Sequence, residues 1–305
     1  MSSICVQINC RNGEQYLRSC LLSLVGQTFK DFYVLFVDNC STDNSIKIVE
    51  QFSDDLNIEI LRTPEPFQLG EARQFGLDHI DTDYVSFLDV DDEYYNDKLE
   101  KQLNLSEREE NWNVMYSGYD TIDSKGNVIS SFKMPSLSSE EHILYHLKQF
   151  RINMQTVMIR NGKVKFPTNL DLCTDLKAFL PSVLDNKAIY LPEQTVRYRM
   201  HDSNLSRSSY LQFEQELEVY KWLAEVYPQW SREIDRNSIS LVQYKEVACL
   251  ISQGKNIDAI MKAKKLKDSI GSRRFIKAIA GSMLPDIFKL LLMKLILKRH
   301  FDLNI

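Results

Sequence analysis

Three carboxylates, spaced at most one residue apart, follow an apolar run in the first third of the chain. The run from Tyr84 to Leu88 is typical of a buried strand, and Asp89, Asp91 and Asp92 come directly after it. Carboxylates with this spacing on a loop are the usual ligands of a hard divalent cation that keeps open positions for phosphate oxygens. The stretch therefore favours a metal-diphosphate site. Because an isolated Asp-x-Asp is also common in solvated turns, the rest of the sequence has to decide.

Strands and helices alternate over roughly the first ninety residues and must position these carboxylates. The predicted strands cover residues 4–8, 32–37, 58–61 and 84–88, and the predicted helices cover residues 14–25, 43–52 and 70–79. This alternation predicts a parallel sheet with right-handed crossovers. Ligands of such sheets bind beyond the carboxyl ends of the strands. The polar clusters 9–12, 38–43 and 89–92 all follow strands, so we expect them to share one edge.

The pattern changes after a helix predicted near residues 96–108. We expect short antiparallel strands between 114 and 132, a strand at 153–160, a helix at 175–184 and strands at 188–191 and 196–200. Helical periodicity dominates from residue 210 onward. The sequence therefore predicts an α/β catalytic domain at 1–205, with a mostly parallel central sheet, flanking helices and a small antiparallel insertion. A helical C-terminal region at 206–305 follows it.

Composition excludes a disordered chain and leaves the charge unevenly distributed. Hydrophobic residues make up 44% of the 305 residues, and the net charge is −5. Residues 254–305 hold 12 Lys and Arg against 4 Asp and Glu, so the tail is basic while the remainder is acidic. The six cysteines show no metal-binding or disulfide spacing, which predicts thiols in a reducing cytoplasm. We expect no secretory signal and no apolar run of the roughly 20 residues that span a bilayer.

Five ordered segments together carry a resemblance to a known family. They cover residues 8–17, 24–29, 37–43, 70–76 and 87–92. In this order and spacing they resemble the family 2 glycosyltransferases of the GT-A fold, especially those that build bacterial surface polysaccharides. The resemblance spans about the first two hundred residues. It implies an inverting hexosyltransferase that uses Mn²⁺ or Mg²⁺ and a nucleotide-sugar donor, expected to be a UDP-sugar. No Gln-x-x-Arg-Trp segment of the processive synthases is present, so we expect one sugar to be transferred per encounter.

The resemblance also implies roles for individual side chains of the donor site. Asp38 is expected to accept a hydrogen bond from the base or ribose, and Arg73 to contact the base or diphosphate. Asp91 is the expected direct metal ligand, with Asp89 bound to the ribose or to the metal's water shell. His201, within a Tyr-Arg-x-His segment, is expected to complete the metal or pyrophosphate site.

Further donor contacts are expected at the turn after the first strand. Asn9, Arg11 and Asn12 stand where the family often has Pro-Thr-Tyr-Asn. Because the stacking aromatic is replaced by Arg11, we expect this guanidinium to lie on the base, or else the base contact to be weak.

The base that accepts the proton of the acceptor hydroxyl is normally the Asp of a Glu-Asp pair at a helix start. The nearest match here is Asp175, preceded by Thr174 instead of Glu. Asp175 at a helix start could also stabilise the helix dipole. Asp171, four residues earlier, is the alternative base.

The tail at about 273–299 combines Lys and Arg with apolar residues on both sides of Pro285. This composition predicts helices that lie on a membrane surface, with the lysine stems reaching the headgroups. We therefore expect a cytoplasmic protein at the inner face of the cell membrane, acting on a saccharide acceptor that is lipid-linked. The alternative is packing on the catalytic domain or in a homo-oligomer. Nucleic-acid binding is not expected, because the tail is too apolar for a solvated basic arm.

Two other functions compete with the transferase. A catalytically inactive module could retain the donor site, since Thr174 departs from the family pattern. A nucleotidylyltransferase would need a basic, glycine-rich first turn, whereas residues 9–13 offer one Gly and one Arg.

Overall fold

The computed structural model describes residues 3–201, 210–253 and 255–266. Contacts divide the chain into one unit of Met1–Leu137 with Ile152–Leu205, and a second of Ser138–Arg151 with Ser206–Ile305. Residues 138–151 were expected inside the first domain, whereas the structure groups them with the C-terminal helices.

One mixed sheet occupies the first unit. Its strands in the described chain are β1 (Ile4–Cys10), β2 (Phe32–Asp38), β3 (Ile58–Arg62), β4 (Tyr84–Phe87), β5 (Glu93–Tyr94), β6 (Val114–Ile122), β7 (Val128–Phe132), β8 (Met158–Arg160) and β9 (Ala188–Arg199). The strand order is β3-β2-β1-β4-β8-β6-β9-β5, and β7 pairs with β6. Strands β1 to β4 run parallel, β8 is antiparallel to both of its neighbours, and β6 runs parallel to β9. The predicted α/β class, with a sheet flanked by helices, is confirmed.

Helices follow the strands and continue into the second unit. They are α1 (Glu14–Val25), α2 (Ser45–Glu50), α3 (Leu69–Leu77), α4 (Lys98–Ser106), α5 (Ser139–Lys148), α6 (Thr174–Leu184), α7 (Tyr210–Val226), α8 (Ser231–Ile234), α9 (Ser240–Ser252) and α10 (Asn256–Lys265). The main core lies between β1, β2 and α1, where Val6, Phe36 and Leu21 are fully buried. The continuous apolar run of β2 fits its position, because both faces of this strand are covered.

Two pairs of predicted strands are single strands. The two strands predicted between 114 and 123 are the continuous β6 (Val114–Ile122), and the two predicted between 188 and 200 are the continuous β9 (Ala188–Arg199). The sequence suggested breaks because Pro192 and Gly118 weaken a strand pattern. The two strands absorb these residues as register shifts on either side of Gly118. A Cβ at Gly118 would lie 2.7 Å from the Phe132 carbonyl oxygen, so the close approach of β7 requires glycine.

Two further segments differ from the expectation. The predicted strand at 153–160 was wrong in its first half, where Met154–Thr156 forms a 3₁₀ turn before β8. Helix α5 was not predicted, although Ser138 and Glu141 form a capping box at its start. In the second unit the Ser238 hydroxyl donates to the Leu147 carbonyl at 2.7 Å, which ties α5 to the π-helical segment Asp235–Ile239 before α9.

No helix within the described ranges is long and apolar enough to cross a membrane. The predicted membrane-surface segment at 273–299 lies outside the described residues.

Candidate active site

The two-residue strand β5 holds the acidic loop after β4 against the end of β9. It pairs antiparallel with β9 and places Glu93 opposite Arg197. This pairing explains how Asp91 meets His201, which follows β9 by two residues. The Asp91 Oδ2 and His201 Nε2 atoms lie 2.9 Å apart, although the residues are 110 positions apart in the chain.

Asp91 and His201 form a carboxylate-imidazole pair that is largely buried. Their side chains are 23% and 12% exposed, respectively. Burial raises the pKa of the Asp91 carboxyl, and the charge of Asp89 raises it further, while the hydrogen bond to His201 lowers it. One carboxylate and one imidazole suit a divalent cation such as Mn²⁺, whose other ligands come from substrate phosphates and water. Within the described part of the chain, no cluster of three or more such ligands exists.

Helix α1 supports this pair through Tyr16. The ring centroids of Tyr16 and His201 lie 5.0 Å apart, and the guanidinium of Arg199 lies 4.9 Å from the Tyr16 centroid. The Tyr16 ring is therefore in contact range of both the imidazole and a cation. Tyr16 lies in one of the segments that carry the family resemblance, but no role was predicted for it from the sequence.

Arg73 connects the acidic loop to the first turn of α6. Its Nη2 atom lies 3.3 Å from Asp89 Oδ1, and its Nη1 donates to Thr174 Oγ1 at 2.5 Å. Thr174 therefore accepts a hydrogen bond from a cationic side chain at the start of α6. The connection depends on Gly70, because a Cβ at that position would lie 1.9 Å from the Pro167 carbonyl oxygen.

Asp175 lies directly after this contact, at the start of α6. It is half-buried, and its Oδ1 accepts a hydrogen bond from the Leu176 amide at 2.9 Å. Burial raises the pKa of the Asp175 carboxyl, while the nearby positive charge of Arg73 opposes the rise. A carboxyl with a raised pKa is better matched to proton transfer near neutral pH than an ordinary aspartate.

Asp171, the alternative base, has a structural contact. It is exposed, and its Oδ1 accepts a hydrogen bond from the Leu69 amide at 3.2 Å. Leu69 is the first residue of α3, so Asp171 satisfies one of the free amide groups at that helix start.

The turns after β1 and β2 are joined to each other. Asn12 Oδ1 accepts a hydrogen bond from the Thr42 amide at 2.7 Å, and the Asn12 amide donates to Ser41 Oγ at 3.0 Å. Asn12 has a φ of 59°, in the left-handed region that asparagine tolerates well. The buried Asp38 also belongs to this group, since its Oδ1 accepts from the Ser41 amide at 3.2 Å.

Asn9 and Arg11 stand apart from these pairs. Asn9 Oδ1 accepts a hydrogen bond from Gln7 Nε2 at 2.9 Å, and Asn9 Nδ2 is buried with no partner among the described residues. Arg11 is exposed. The structure thus joins Asp91 with His201, Asp89 with Arg73, and Asn12 to the turn that contains Asp38.

No role was predicted from the sequence for Glu93, Arg197 or Arg199 beside the acidic loop, and Asp92 was named only as one of its carboxylates. Asp92 Oδ1 accepts a hydrogen bond from the Arg199 amide at 2.7 Å, and burial raises the pKa of Asp92 well above its ordinary range. Glu93 forms ion pairs with both Arg197 and Arg199. The available signal was the pair of arginines at alternate positions of a strand, which share one face.

The family description "glycosyl transferase family 2" matches residues 5–166, which is more than half of the 305-residue chain. The chain belongs to glycosyl transferase family 2. This membership makes the protein a transferase enzyme and confirms the resemblance seen in the sequence.

Curated relatives within family 2 cover different shares of the chain. An uncharacterized glycosyltransferase of Haemophilus influenzae is 35% identical over 156 residues, which are 50% of this chain and 60% of that protein. The putative teichuronic acid biosynthesis glycosyltransferase TuaG of Bacillus subtilis is 27% identical over 223 residues, 71% of this chain and 86% of that protein. The match to the Haemophilus protein therefore spans less than two thirds of its length.

Solved structures show the same fold. Residues 1–349 of S. aureus TarS in complex with UDP-GlcNAc match with a TM-score of 0.67 and 18% identity, over 97% of this chain and 91% of that chain. The mannosyltransferase PcManGT from Pyrobaculum calidifontis, in complex with GDP-Man and Mn²⁺, matches with a TM-score of 0.60 and 13% identity, over 98% and 87% of the two chains. At these identities the likeness shows the fold alone.

Proposed function

We propose that this family 2 member is a metal-dependent, inverting glycosyltransferase that transfers one sugar from a UDP-sugar to a hydroxyl group of a saccharide acceptor. The observation that carries the proposal is the position of Arg73, which binds Asp89 of the acidic loop and Thr174 beside Asp175. The proposed diphosphate-binding loop and the proposed base therefore flank one cationic side chain. The UDP-GlcNAc complex of TarS, which has the same fold, supports a UDP-sugar as the donor.

Asp91 and His201 would hold the divalent cation, Mn²⁺ or Mg²⁺. The carboxylate and the imidazole together supply two ligands, and the donor diphosphate supplies oxygens for the remaining positions. When bound, the cation would neutralise negative charge on the leaving nucleoside diphosphate. The Mn²⁺ complex of PcManGT supports this assignment by fold analogy.

The nucleotide would lie over the joined turns after β1 and β2. Asp38 would accept a hydrogen bond from the uracil or ribose, and Asn9 and Asn12 would contribute further polar contacts. The exposed Arg11 has the reach to cover the base with its planar guanidinium. Arg73 and Asp89 would orient the diphosphate and the ribose.

Asp175 would accept the proton of the acceptor hydroxyl. The hydroxyl oxygen attacks the anomeric carbon from the side opposite the diphosphate, the bond from that carbon to the diphosphate oxygen breaks, and the configuration inverts. Arg73 favours the ionised form of Asp175 through its charge, while burial favours the protonated form, so the carboxyl is tuned between the two. Fixed orientation of the reacting groups supplies much of the rate.

The acceptor class is proposed from the relatives. TuaG is named for teichuronic acid biosynthesis and TarS is named a poly(ribitol-phosphate) beta-N-acetylglucosaminyltransferase, and both names refer to cell-surface polymers. We propose a role in surface-polysaccharide synthesis, on a lipid-linked saccharide at the cytoplasmic face of the membrane.

The basic and apolar composition of residues 273–299 supports the membrane contact. A truncation after Gly271 should lose co-sedimentation with anionic vesicles, and unchanged sedimentation would refute this contact.

A catalytically inactive, nucleotide-sugar-binding module is the second candidate. The observation that favours it is the replacement of the family's Glu by Thr174. This hypothesis predicts donor binding without hydrolysis or transfer.

A panel of UDP-, GDP- and dTDP-sugars tests the proposed function. We expect one UDP-sugar to raise the melting temperature only when MnCl₂ is present, and the same donor to be turned over with a saccharide acceptor or slowly hydrolysed. EDTA should remove both effects. Binding with no turnover would favour the inactive module, and no effect of any nucleotide sugar would refute both candidates.

A further inference from the structure

Arg199, the last residue of β9, contacts four separate parts of the first unit. It is 3% exposed, its Nε donates to the Asp91 carbonyl oxygen at 2.9 Å, and its Nη1 donates to the Asp123 carbonyl oxygen at 3.3 Å. Its Nη2 forms an ion pair with Glu93, and its guanidinium lies over the Tyr16 ring. A single buried side chain therefore joins the acidic loop, β5, the β6–β7 turn and α1.

Arg197 lies two residues earlier, on the same face of β9, and makes half of these contacts. Its Nη1 lies 2.6 Å from Glu93 Oε2, and its Nη2 donates to the Gly126 carbonyl oxygen at 2.5 Å. Both arginines thus bind Glu93 and the β6–β7 turn. In the contacts described here, the bond to the Asp91 backbone and the stacking on Tyr16 belong to Arg199.

The contacts of Arg199 act on both members of the Asp91–His201 pair. The bond to the Asp91 carbonyl fixes the backbone from which the carboxylate projects. The Tyr16 ring packs against both the Arg199 guanidinium and the His201 imidazole, so a shift of the guanidinium would also shift the imidazole. Because the guanidinium is planar and its donors have fixed directions, it restricts geometry more than a flexible ammonium group does.

The ion pair with Glu93 keeps the guanidinium in place. The Glu93 side chain is 14% exposed and the Arg199 side chain is 4% exposed, so solvent screens this pair only weakly. Removing Glu93 would leave the buried Arg199 guanidinium without this counter-charge, which is strongly unfavourable, whereas removing Arg199 would leave Glu93 with Arg197 as its remaining partner. The geometry of the loop is therefore set by a group that has no direct role in ligating the cation.

We infer that Arg199 is a positioning residue for the Asp91–His201 pair, with Glu93 as its counter-charge, and that it sets the affinity of the site for divalent cations. The inference rests on the proposed function, because that function assigns Asp91 and His201 to the cation. It concerns how the protein holds its own ligands, and it makes Arg197 a matched control.

Titration of the full-length protein with MnCl₂, followed by the EPR signal of free Mn²⁺, tests the inference without any turnover. We expect Arg199→Met to weaken Mn²⁺ binding about 10- to 100-fold, the range found when groups that orient metal ligands are removed. The Mn²⁺ affinity of Arg199→Lys should lie between those of Arg199→Met and wild type, because lysine keeps the positive charge but lacks the fixed donor directions of the guanidinium. Arg197→Met should bind Mn²⁺ like wild type, since it leaves the Asp91 contact intact.

Together the outcomes distinguish a failure of this inference from a failure of the proposed function. If wild type binds no Mn²⁺, both are overturned. If wild type binds Mn²⁺ and both Arg199 variants match it, only the positioning role is overturned. Equal losses in Arg197→Met and Arg199→Met would also overturn it, because they would trace the effect to the turn or to Glu93. Circular-dichroism melting identifies the variants that fold. If Arg199→Met does not fold, the Mn²⁺ affinity of Arg199→Lys decides whether Arg199 is a positioning residue.

Discussion

The loop after β2 and the loop after β4 lie at the same sheet edge but use their polar side chains differently. After β2, the side chains bind mostly backbone: Asn39 bridges to both the amide and the carbonyl of Phe67. After β4, Asp89 and Asp91 bind side chains, those of Arg73 and His201, respectively. The β2 loop is therefore held largely by backbone groups of neighbouring turns, whereas the β4 loop depends on side chains of α3 and of the segment after β9.

This difference suggests that the two loops have different functions. A loop that is fixed by backbone contacts offers a rigid surface for a nucleotide. A loop whose carboxylates are paired with a guanidinium and an imidazole can exchange those partners for a cation and a diphosphate. We therefore expect substitutions after β4 to affect turnover, and substitutions after β2 to affect donor affinity.

Asp91→Ala should have the largest effect. Loss of the carboxylate removes one of two proposed protein ligands, and several kcal/mol of transition-state stabilisation depend on the cation. We expect transfer to fall to background and Mn²⁺-dependent UDP binding to disappear in isothermal titration calorimetry. Retained Mn²⁺-dependent binding would remove Asp91 from the metal site and would erase the contrast between the two loops.

The contacts of the β2 loop follow more directly from the sequence than those of the β4 loop, although neither set was predicted in detail. Contacts such as Asn12 with Thr42 follow from turn chemistry and from the parallel pairing of β1 with β2, which the alternation of strands and helices already predicts. The α/β class and the edge shared by the polar clusters could therefore be derived. Partners of the β4 loop depend on how distant segments dock, and sequence patterns do not encode that directly.

Arg199 and Glu93 illustrate what could not be predicted. Their contact depends on the two-residue strand β5, which is too short to give a periodic signal. Arg73 was expected at the diphosphate, but its bond to Thr174 required knowing that Gly70 lets residues 167–170 approach α3. His201 was expected near the metal only through the family resemblance.

Asp175→Asn should have the next largest effect, because the amide cannot accept the proton of the acceptor. We expect kcat to fall about 10²- to 10³-fold, as is typical for loss of a general base, with UDP affinity unchanged. Asp171→Asn is the matched control and should keep at least most of the activity, since an asparagine still accepts from the Leu69 amide. Full transfer activity in Asp175→Asn would rule out this base.

The pH profile of transfer should also report the ionisation of Asp175. Burial raises the pKa of Asp175, and the base is active only when ionised, so activity should rise with pH and be lost as pH falls through the raised pKa. The acidic limb of kcat should therefore lie above the ordinary aspartate value of about 4. Measuring kcat at saturating Mn²⁺ and donor separates this limb from ionisation of the metal ligands. An acidic limb at or below about 4 would contradict the assignment.

A pair of substitutions after β2 tests the other side of the comparison. Asp38→Asn keeps an acceptor for the Ser41 amide but removes the charge, so KM for the donor should rise about tenfold with kcat little changed. Asn39→Ala removes the bridge to Phe67 and should lower stability by about 1–3 kcal/mol, with donor KM unchanged below the melting transition. A loss of kcat in Asp38→Asn, with KM unchanged, would place the β2 loop in the chemistry and remove the contrast.

Asp92→Asn should have the smallest effect on catalysis and tests whether every carboxylate after β4 serves the substrate. Asp92 is 1% exposed, and its Oδ2 has no hydrogen-bond partner within the described residues, so the ionised form is disfavoured. Burial raises the pKa of Asp92 in the folded state. The contribution of protonated Asp92 to wild-type stability is therefore fully present below the unfolded pKa of about 4, and it is lost as pH rises through the folded pKa. The asparagine still accepts from the Arg199 amide and does not ionise, so thermal melts at increasing pH should show a growing advantage of roughly 2–4 °C over wild type, with kcat unchanged. An equal loss of stability at every pH would instead show that the carboxyl proton of Asp92 makes a contact that the amide cannot replace.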